Sequence, residues 1–503
     1  MNKFICIIIL PLLLFSCTAT QKVSSTKGGK IDKDQSIVES TVNMSDIKAH
    51  IHYLASDEMS GRDTPSPELN IAARYLSTSL MRYGVKSFPG YDDYLQKVPM
   101  KTVTPADTGL LKIGTHDLEY LKDFLMLDGD NLQLSAETVF LNRGTEKDYE
   151  NTDVEGKIVV TICGYEGQDN PQEWFYAARQ KQELSMKNGA IAHLELYKNP
   201  RIPFAFLARF FSGAATMLDD EIEADAFPLL WADAGNAEAM KVLKEGGKSL
   251  CNIYVDGMKV EPVETYNVVG MLEGSDPELK DEYIIYSAHY DHVGIGRAVE
   301  GDSIYNGARD NAVGSVTVLE AAKNLALHPT KRSAIFIFFT GEEKGLLGSA
   351  YYADNPIIPL DQVTYCFNSD NAGYNDTSVA TIFGLERTHA ENLIQQACTT
   401  FGLKAIQDNM PEQGLFDRSD NVNFAKKGVP APTFSLGITA FDDTVNTYYH
   451  QPADGPNTLD YDYLFKFFKS YVYACRLIGN TSQSVFWKEG DKYYEAGKAL
   501  YNK

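Results

Sequence analysis

The sequence predicts an α/β fold, in which a mixed, mainly parallel sheet is flanked by helices and a small second α/β unit is inserted. Three observations support this prediction. Amphipathic helices begin near Asp46, short apolar strands alternate with helices from about Thr265, and residues 139–261 carry a separate strand and helix pattern. Alternating strands and helices are typical of parallel sheets, because each pair of parallel strands needs a crossover connection.

Residues 1–17 resemble a bacterial lipoprotein signal. Lys3 precedes an apolar run that is short for a membrane span and ends in Ser16-Cys17. We therefore expect Cys17 to carry lipid and to anchor the exported protein in the bacterial cell envelope. The expected place is the outer membrane, with the protein facing the periplasm or the exterior. Residues 18–42 lack apolar periodicity and are predicted to be a flexible tether.

Composition argues against two other kinds of site. The formal net charge of -22 argues against nucleic acid as a partner, since nucleic-acid-binding proteins concentrate Lys and Arg on one face. The cysteines after Cys17 lack the paired spacing of a zinc-cysteine site, and their odd number leaves at least one free thiol. These cysteines are Cys163, Cys251, Cys366, Cys398 and Cys475.

The strand and helix pattern divides the folded part into a main domain and an insert. Residues 43–138 and 262–503 are expected to form the main domain, and residues 139–261 the insert. Within the insert, the segment GKIVVTICG is strand-like, and QKQELSMKNGAIAHLELY has the pattern of a helix followed by a strand. The amphipathic helices that open the main domain carry no motif that we assign to chemistry.

Residues able to bind metals or transfer protons lie where predicted strands end or in loops. His289 and Asp291 follow the strand EYIIYSA two positions apart, so an extended backbone directs both side chains to one side. In open sheets of this kind, ligands bind at the carboxyl ends of the strands. The other residues of this kind are Asp310, Glu342, Glu343, Asp370 and His450.

This set has the size that a pair of metal ions requires. A catalytic zinc ion takes about three protein ligands and leaves one position for water, so two ions sharing one bridging carboxylate need five. Glu342 is then left to accept a proton from water. The predicted ligands are His289, Asp310, Glu343, Asp370 and His450.

The motifs SAHYDH, GARDNAVG, FFTGEEKGLLGS, NSDNAG and YHQPAD resemble those of the co-catalytic di-zinc aminopeptidase family. That family includes bacterial leucyl aminopeptidases, glutamate carboxypeptidase and the transferrin receptor ectodomain. The resemblance implies a zinc exopeptidase fold, a catalytic main domain and a metallopeptidase that hydrolyses peptide bonds with two zinc ions. It also implies that residues 139–261 form a protease-associated domain.

Carried to single residues, the resemblance assigns roles within the set. It implies that Asp310 bridges both ions and that Glu342 is the general base. It implies that Asp291 orients the ring of His289 by a hydrogen bond. One ion is completed by Glu343 and His450, and the other by His289 and Asp370.

An aminopeptidase is the first choice among the activities that this resemblance allows, and peptides or proteins are the expected substrates. The alternatives are a carboxypeptidase with a basic pocket for a terminal carboxylate, or a glutaminyl cyclase that works with one zinc ion. A metal-free binding protein of the transferrin-receptor type is the alternative without catalysis. Such a protein is expected to lack the ligands that this sequence contains.

Several neighbouring residues carry weaker expectations. We expect Arg309 to pair with a surface carboxylate, with a place near the substrate as the alternative, and His292 to be structural. Asp454 is expected either to support His450 or to cap a turn. Pocket walls are expected from loops such as GIGRAVEGDSIYN, residues 294–306, and the segment 204–212.

Overall fold

The computed structural model describes residues 32–168, 171–199, 202–219, 227–235, 237–245 and 250–502. The predictions for the signal and for Cys17 lie outside these residues. Within the described part, the chain forms a nine-stranded sheet, an eight-stranded sheet and a two-stranded ribbon. The ribbon pairs Ile295–Val299 with Asp302–Ile304.

The nine-stranded sheet contains the strands that precede the metal-site motifs. Its four central strands are mutually parallel, and the pairs toward the edge strand Ala215–Leu218 are antiparallel. The predicted α/β fold with a mixed sheet is thus confirmed. In spatial order the strands are Lys404–Gln407, Val379–Phe383, Thr433–Leu436, Val363–Ser369, Tyr283–His289, Ser333–Phe339, Lys259–Leu272, Leu95–Thr104 and Ala215–Leu218.

Both faces of the central strands are buried, which explains their continuous apolar sequences. Every residue of Ser333–Phe339 is buried. Ile335 and Ile337 face one hydrophobic core, and Phe336 and Phe338 face another. Strands covered on both faces lose the alternation of apolar and polar residues that half-exposed strands show.

Helices cover the sheet and bury it from water. Helix Pro67–Tyr83 begins at Ser66, whose hydroxyl accepts a hydrogen bond from the Leu69 N–H at 3.0 Å, and it ends at Gly84 in the left-handed conformation. The α-helices are Lys33–Thr41, Met44–Leu54, Pro67–Tyr83, Glu146–Tyr149, Pro171–Lys187, Phe204–Phe210, Ala237–Glu245, Gly314–Leu327, Leu347–Asp354, Glu391–Thr400, Asn421–Lys426, Asp443–Asn446, Tyr461–Asn480 and Tyr494–Leu500.

Residues 33–41 were predicted to belong to a flexible tether, residues 18–42, but they form helix Lys33–Thr41. Val38 is fully buried, and the Asp34 carboxylate pairs with Arg476 at 2.6 Å. Tertiary contacts stabilise a helix of this length more than intrinsic propensity does, so periodicity in the sequence was a weak guide here. The tether prediction for residues 18–31 lies outside the described residues.

The eight-stranded sheet forms the core of the second unit, and its limits differ from the predicted insert. It begins at Thr108, upstream of 139, while strand Ala215–Leu218 from within the insert pairs with the larger sheet. Pairing between distant strands decides sheet membership, and local patterns do not show it. That this unit is a protease-associated domain stays a prediction. Its strands are His116–Glu119, Thr108–Ile113, Leu250–Asp256, Leu132–Phe140, Ile158–Ile162, Ala192–Tyr197, Leu229–Asp233 and Phe124–Asp128.

A buried ion pair lies under the eight-stranded sheet. Lys181 and Glu195 are both fully buried, with Nζ 2.7 Å from Oε1. Lys181 also donates to the carbonyl oxygens of Ile162 and Gly164, and the other carboxylate oxygen accepts from the indole N–H of Trp231 at 2.6 Å. Each charge is therefore satisfied, which a buried ion pair requires to be tolerated.

Two further findings concern membranes and thiols. No helix in the described ranges is long and apolar enough to span a bilayer.

The five cysteines in these ranges, Cys163 to Cys475, are free and buried. Burial raises the pKa of Cys251 to about 12, so its thiol stays protonated at neutral pH.

Replacement of Lys181 by Met should strongly destabilise the second unit. The change leaves the carboxylate of Glu195 buried without its cation, and loss of one partner of a buried pair costs about 3–5 kcal/mol. Urea denaturation followed by tryptophan fluorescence measures the change, since Trp174 and Trp231 lie in this unit.

Lys122→Met is the matched control, because Lys122 pairs with Glu119 at the surface, where both side chains are 64% exposed. Exposed pairs contribute little to stability. Equal stability of the Lys181 and Lys122 variants would show that the buried pair does not stabilise the unit.

Candidate metal centre

Three adjacent parallel strands end at the same edge of the larger sheet and bring their polar residues together. His289 ends Tyr283–His289, Glu342 and Glu343 follow Ser333–Phe339, and Asp370 follows Val363–Ser369. His289 Nε2 lies 3.1 Å from Asp370 Oδ1 and 4.0 Å from Glu342 Oε2. The common direction of these strands explains the convergence.

Asp310 lies between the two histidines of the predicted ligand set. It precedes helix Gly314–Leu327, and its Oδ1 lies 3.3 Å from His289 Nε2. Its Oδ2 lies 3.1 Å from His450 Nε2, which is itself 3.2 Å from Glu343 Oε2. One oxygen of Asp310 thus faces each histidine.

The donor atoms form two groups, each with its atoms within 4.8 Å of one another. Imidazole nitrogens and carboxylate oxygens are the ligands that zinc takes in catalytic sites, so the donor chemistry fits two zinc ions. The five predicted ligands and Glu342 all lie in these groups, and His292 joins them. One group is His289, Glu342 and Asp370, and the other is His292, Asp310, Glu343 and His450.

The two histidines and the acids perturb one another's pKa values. Burial disfavours the protonated form of His289, but Glu342 and Asp370 outweigh it and raise its pKa well above the ordinary value. Burial also disfavours the protonated form of His450, but hydrogen bonds with Asp310 and Glu343 outweigh it and raise the pKa to about 10. The surrounding carboxylates therefore favour the protonated form of both imidazoles.

The carboxylates divide into two kinds. Burial favours the neutral form of Asp310 and Glu343, yet their histidine partners lower the pKa of Asp310 far below its ordinary value and that of Glu343 to about 2. Burial raises the pKa of Glu342 well above that of an ordinary glutamate. The pKa values of Glu342 and its chain neighbour Glu343 are thus shifted in opposite directions.

Asp291 binds the backbone that follows strand Ser333–Phe339 and also lies beside the ring of His289. Its Oδ1 accepts from the Glu342 N–H at 3.1 Å and its Oδ2 from the Glu343 N–H at 3.3 Å. His289 Nδ1 lies 3.2 Å from the backbone oxygen of Asp291 and 3.7 Å from its carboxylate. The residue therefore orients the backbone that carries both glutamates as well as lying beside the histidine.

Arg62 is a residue of the site that sequence reasoning missed. Its side chain is 1% exposed and donates to the backbone oxygens of Tyr290 at 2.9 Å and Asn306 at 2.8 Å. It also donates to the oxygens of Gly307 and Leu54. Burial lowers its pKa to about 10, which keeps the cation at neutral pH. A single Arg in a predicted loop gives no signal of this role.

Arg309 pairs with a carboxylate, but that carboxylate is buried rather than at the surface. Its NH1 lies 2.8 Å from Asp454 Oδ1, and the two side chains are 3% and 1% exposed. Asp454 Oδ2 also accepts from the backbone N–H groups of Arg309 and Asp310. Asp454 therefore supports the loop of Asp310, in addition to following His450 in the chain.

A pocket adjoins the metal-site carboxylates, and most of its wall is apolar. The described residues of segments 204–212 and 294–306 do not line it, so the expected source of its walls was wrong. Arg418 also lines the pocket. The apolar walls come from loops and strand ends of the main domain, namely Ala372, Phe383, Leu415, Ile438, Phe441 and Tyr449.

Known proteins are similar to this chain in sequence and in fold. The profile of peptidase family M28 matches residues 267–474. A protein of Aspergillus oryzae named "probable leucine aminopeptidase 2" is 34% identical over 431 residues, which cover 79% of this chain and 77% of the relative. A protein of Aspergillus fumigatus with the same name is 28% identical over 427 residues, which cover 79% and 76%.

A solved structure extends the likeness to the fold. The aminopeptidase from Aneurinibacillus sp. strain AM-1 superimposes with a TM-score of 0.56 at 21% identity, covering 91% of this chain and 98% of that one. Similarity of this extent, together with the 34% identity to a relative over most of both chains, confirms the family resemblance of the motifs. The chain belongs to peptidase family M28.

Proposed function

We propose that this protein is an aminopeptidase that uses two zinc ions to remove residues from the free amino end of peptides. The observation that carries the proposal is the position of Asp310, whose two oxygens face His289 and His450 separately. A bridging carboxylate has a purpose only where two ions bind. The family membership supports peptide hydrolysis as the reaction.

The chain's residues divide between the two ions. Glu343, His450 and Asp310 would hold one ion, and His289, Asp370 and Asp310 would hold the other. When bound, the ions lower the pKa of water and polarise the carbonyl of the scissile bond. His289, Glu343 and Asp370 lie at or just after strand ends, whereas Asp310 precedes helix Gly314–Leu327 and His450 lies in a loop.

Glu342 acts as the general base. It lies beside the ligand groups, and its raised pKa lets it hold the proton taken from water. The same carboxyl group then gives the proton to the departing amine, which leaves as a neutral group. Asp291 supports this step by holding the Glu342 N–H and so the backbone from which the base projects.

A free α-amine suits this pocket because four acids line it, namely Asp310, Glu342, Glu343 and Asp370. Three of them would bind the zinc ions, and the α-amine would be held by the remaining carboxylate, Glu342, or by one of the ions. The apolar wall around Phe383 offers a place for a hydrophobic side chain. The names of the two fungal relatives also favour an aminopeptidase.

Arg418 favours a second candidate function, a carboxypeptidase. It lines the same pocket and offers a cation that a terminal carboxylate would bind. Glutaminyl cyclase chemistry remains the alternative that needs one zinc ion. The metal-free binding protein of the transferrin-receptor type is disfavoured, because the complete ligand set converges in the structure.

Peptides with a free amino end should be hydrolysed stepwise from that end, whereas N-acetylated peptides of the same sequence should be resistant. The acetyl group removes the basic amine that the site would hold. Released amino acids are measured over time by liquid chromatography, with C-amidated peptides as the matched control. Resistance of the amidated peptides with hydrolysis of the acetylated ones would establish the carboxypeptidase instead.

Glu342→Gln should keep both zinc ions and lose kcat by about 10²- to 10⁴-fold, because it keeps the shape of the side chain and removes only the base. The acid limb of the pH profile of kcat should disappear with it, since that limb reports ionisation of Glu342. Zinc content per chain and kcat are measured on the same preparation.

Glu343→Ala is the matched variant at the neighbouring position and should lower zinc occupancy, because it removes a ligand. Zinc lost equally from both variants, or near-normal kcat in Glu342→Gln, would show that the two roles are wrongly assigned. Fully active wild-type protein with one zinc ion per chain would contradict the two-ion mechanism.

The proposed location of the enzyme is the bacterial cell envelope, where lipid on Cys17 anchors it. The support is the sequence of residues 1–17, which lies outside the described residues. In vivo labelling with a fatty acid should mark the wild-type protein and not the Cys17→Ala variant, and washed membranes should retain only the wild type.

Thr18→Ala is the control for this experiment, since it changes the neighbouring residue and leaves the thiol. It should be labelled and retained like the wild type. Absence of label from the wild-type protein would refute the lipid anchor.

A further inference from the structure

His292 contacts the carboxylate of Glu343 in a defined way. The imidazole is fully buried, and its Nδ1 lies 2.9 Å from Glu343 Oε1. The other oxygen, Oε2, lies 3.2 Å from His450 Nε2. Nδ1 is 3.9 Å from the nearest Asp310 oxygen, so Glu343 is its hydrogen-bond partner. One oxygen of Glu343 thus faces His292, and the other faces the ligand group.

The ring of His292 is fixed by its packing. A Cβ atom added at Gly307 would lie 2.5 Å from Cγ of His292, so only glycine leaves room for the ring there. On another side the ring meets His450 edge to face, with centroids 5.4 Å apart and planes at 74°. His292 therefore touches both Glu343 and His450 and cannot turn away from them without moving the backbone at Gly307.

The hydrogen-bond network indicates which nitrogen carries the proton. Nε2 of His292 is buried and has no hydrogen-bond partner among the described residues. Nδ1 faces a carboxylate oxygen, which only accepts. The tautomer with the proton on Nδ1 makes this hydrogen bond and leaves Nε2 without a proton that would need an acceptor.

We infer that His292 is a positioning residue for the ion held by Glu343 and His450. Its Nδ1–H donates to Oε1 of Glu343 and leaves only Oε2 for that ion, so the carboxylate binds through one oxygen. This inference rests on the proposed function, because it concerns one of the two zinc ions. The other ion has no such support from His292, since Asp370 and His289 belong to the other group.

Loss of His292 should therefore weaken one zinc site and spare the other. Groups that orient metal ligands change affinity by about 10- to 100-fold when removed. In a titration of metal-free protein with zinc against a competing chelator, the His292→Ala variant should show that loss for one of its two ions. The second ion should bind as in the wild type.

Two amide variants separate a hydrogen-bond donor from a metal ligand. His292→Asn places an amide N–H near the position of Nδ1 and should restore most of the affinity, whereas His292→Gln places it near Nε2 and should not. His328→Ala removes an exposed histidine outside the site and should bind both ions normally. If His292→Ala does not fold, as judged by circular dichroism, the comparison of Asn with Gln decides.

Two outcomes would overturn the inference. Zinc affinities in His292→Ala equal to those of the wild type would show that the ring does not position Glu343. Affinity in His292→Asn as low as in His292→Gln would show that the ring acts in another way, as a ligand would. Wild-type protein that binds one zinc ion, with that ion weakened in His292→Ala, contradicts the proposed function alone. Wild-type protein whose single ion His292→Ala binds normally, or that binds no zinc, overturns both.

Discussion

The structure around the site depends on one constraint: several carboxylates must be held close together and away from water. Asp310, Glu342, Glu343 and Asp370 share one small region with three imidazoles, those of His289, His292 and His450. Like charges repel, and burial disfavours the ionised form of each acid, so such a group is costly unless cations lie within it. Glu342 and Glu343, neighbours in the chain, differ in this balance: burial raises the pKa of Glu342, whereas hydrogen bonds with His292 and His450 lower that of Glu343 to about 2.

Two buried arginines, Arg62 and Arg309, hold the segments that carry the candidate ligands. Arg62 binds backbone oxygens of three separate segments, including the loops that carry His289 and Asp310. Its cation therefore restrains these loops without pairing directly with any of the carboxylates. Arg309 instead forms a buried pair with Asp454, which also accepts the backbone N–H of Asp310. Since a buried pair is stable only when both partners are present, the Asp310 and His450 loops are linked to each other.

The second unit is joined to the main domain more closely than an inserted domain need be. Strand Ala215–Leu218 adds to the edge of the larger sheet at Leu95–Thr104, which provides the hydrogen-bond partners that an open edge would lack. The pocket walls nevertheless come from the main domain. The main domain thus carries both the candidate metal ligands and the side chains that line the pocket.

The sequence by itself determined the α/β class and the metal-site motifs, because these depend on residue type and on position at strand ends. It did not reveal Arg62, the buried partner of Arg309 or the contact of His292 with Glu343. Those depend on segments far apart in the chain, whose approach has no local signature. The limits of the second unit and the source of the pocket walls were likewise decided by strand pairing and loop packing in the tertiary structure, where contacts between distant residues outweigh local propensity.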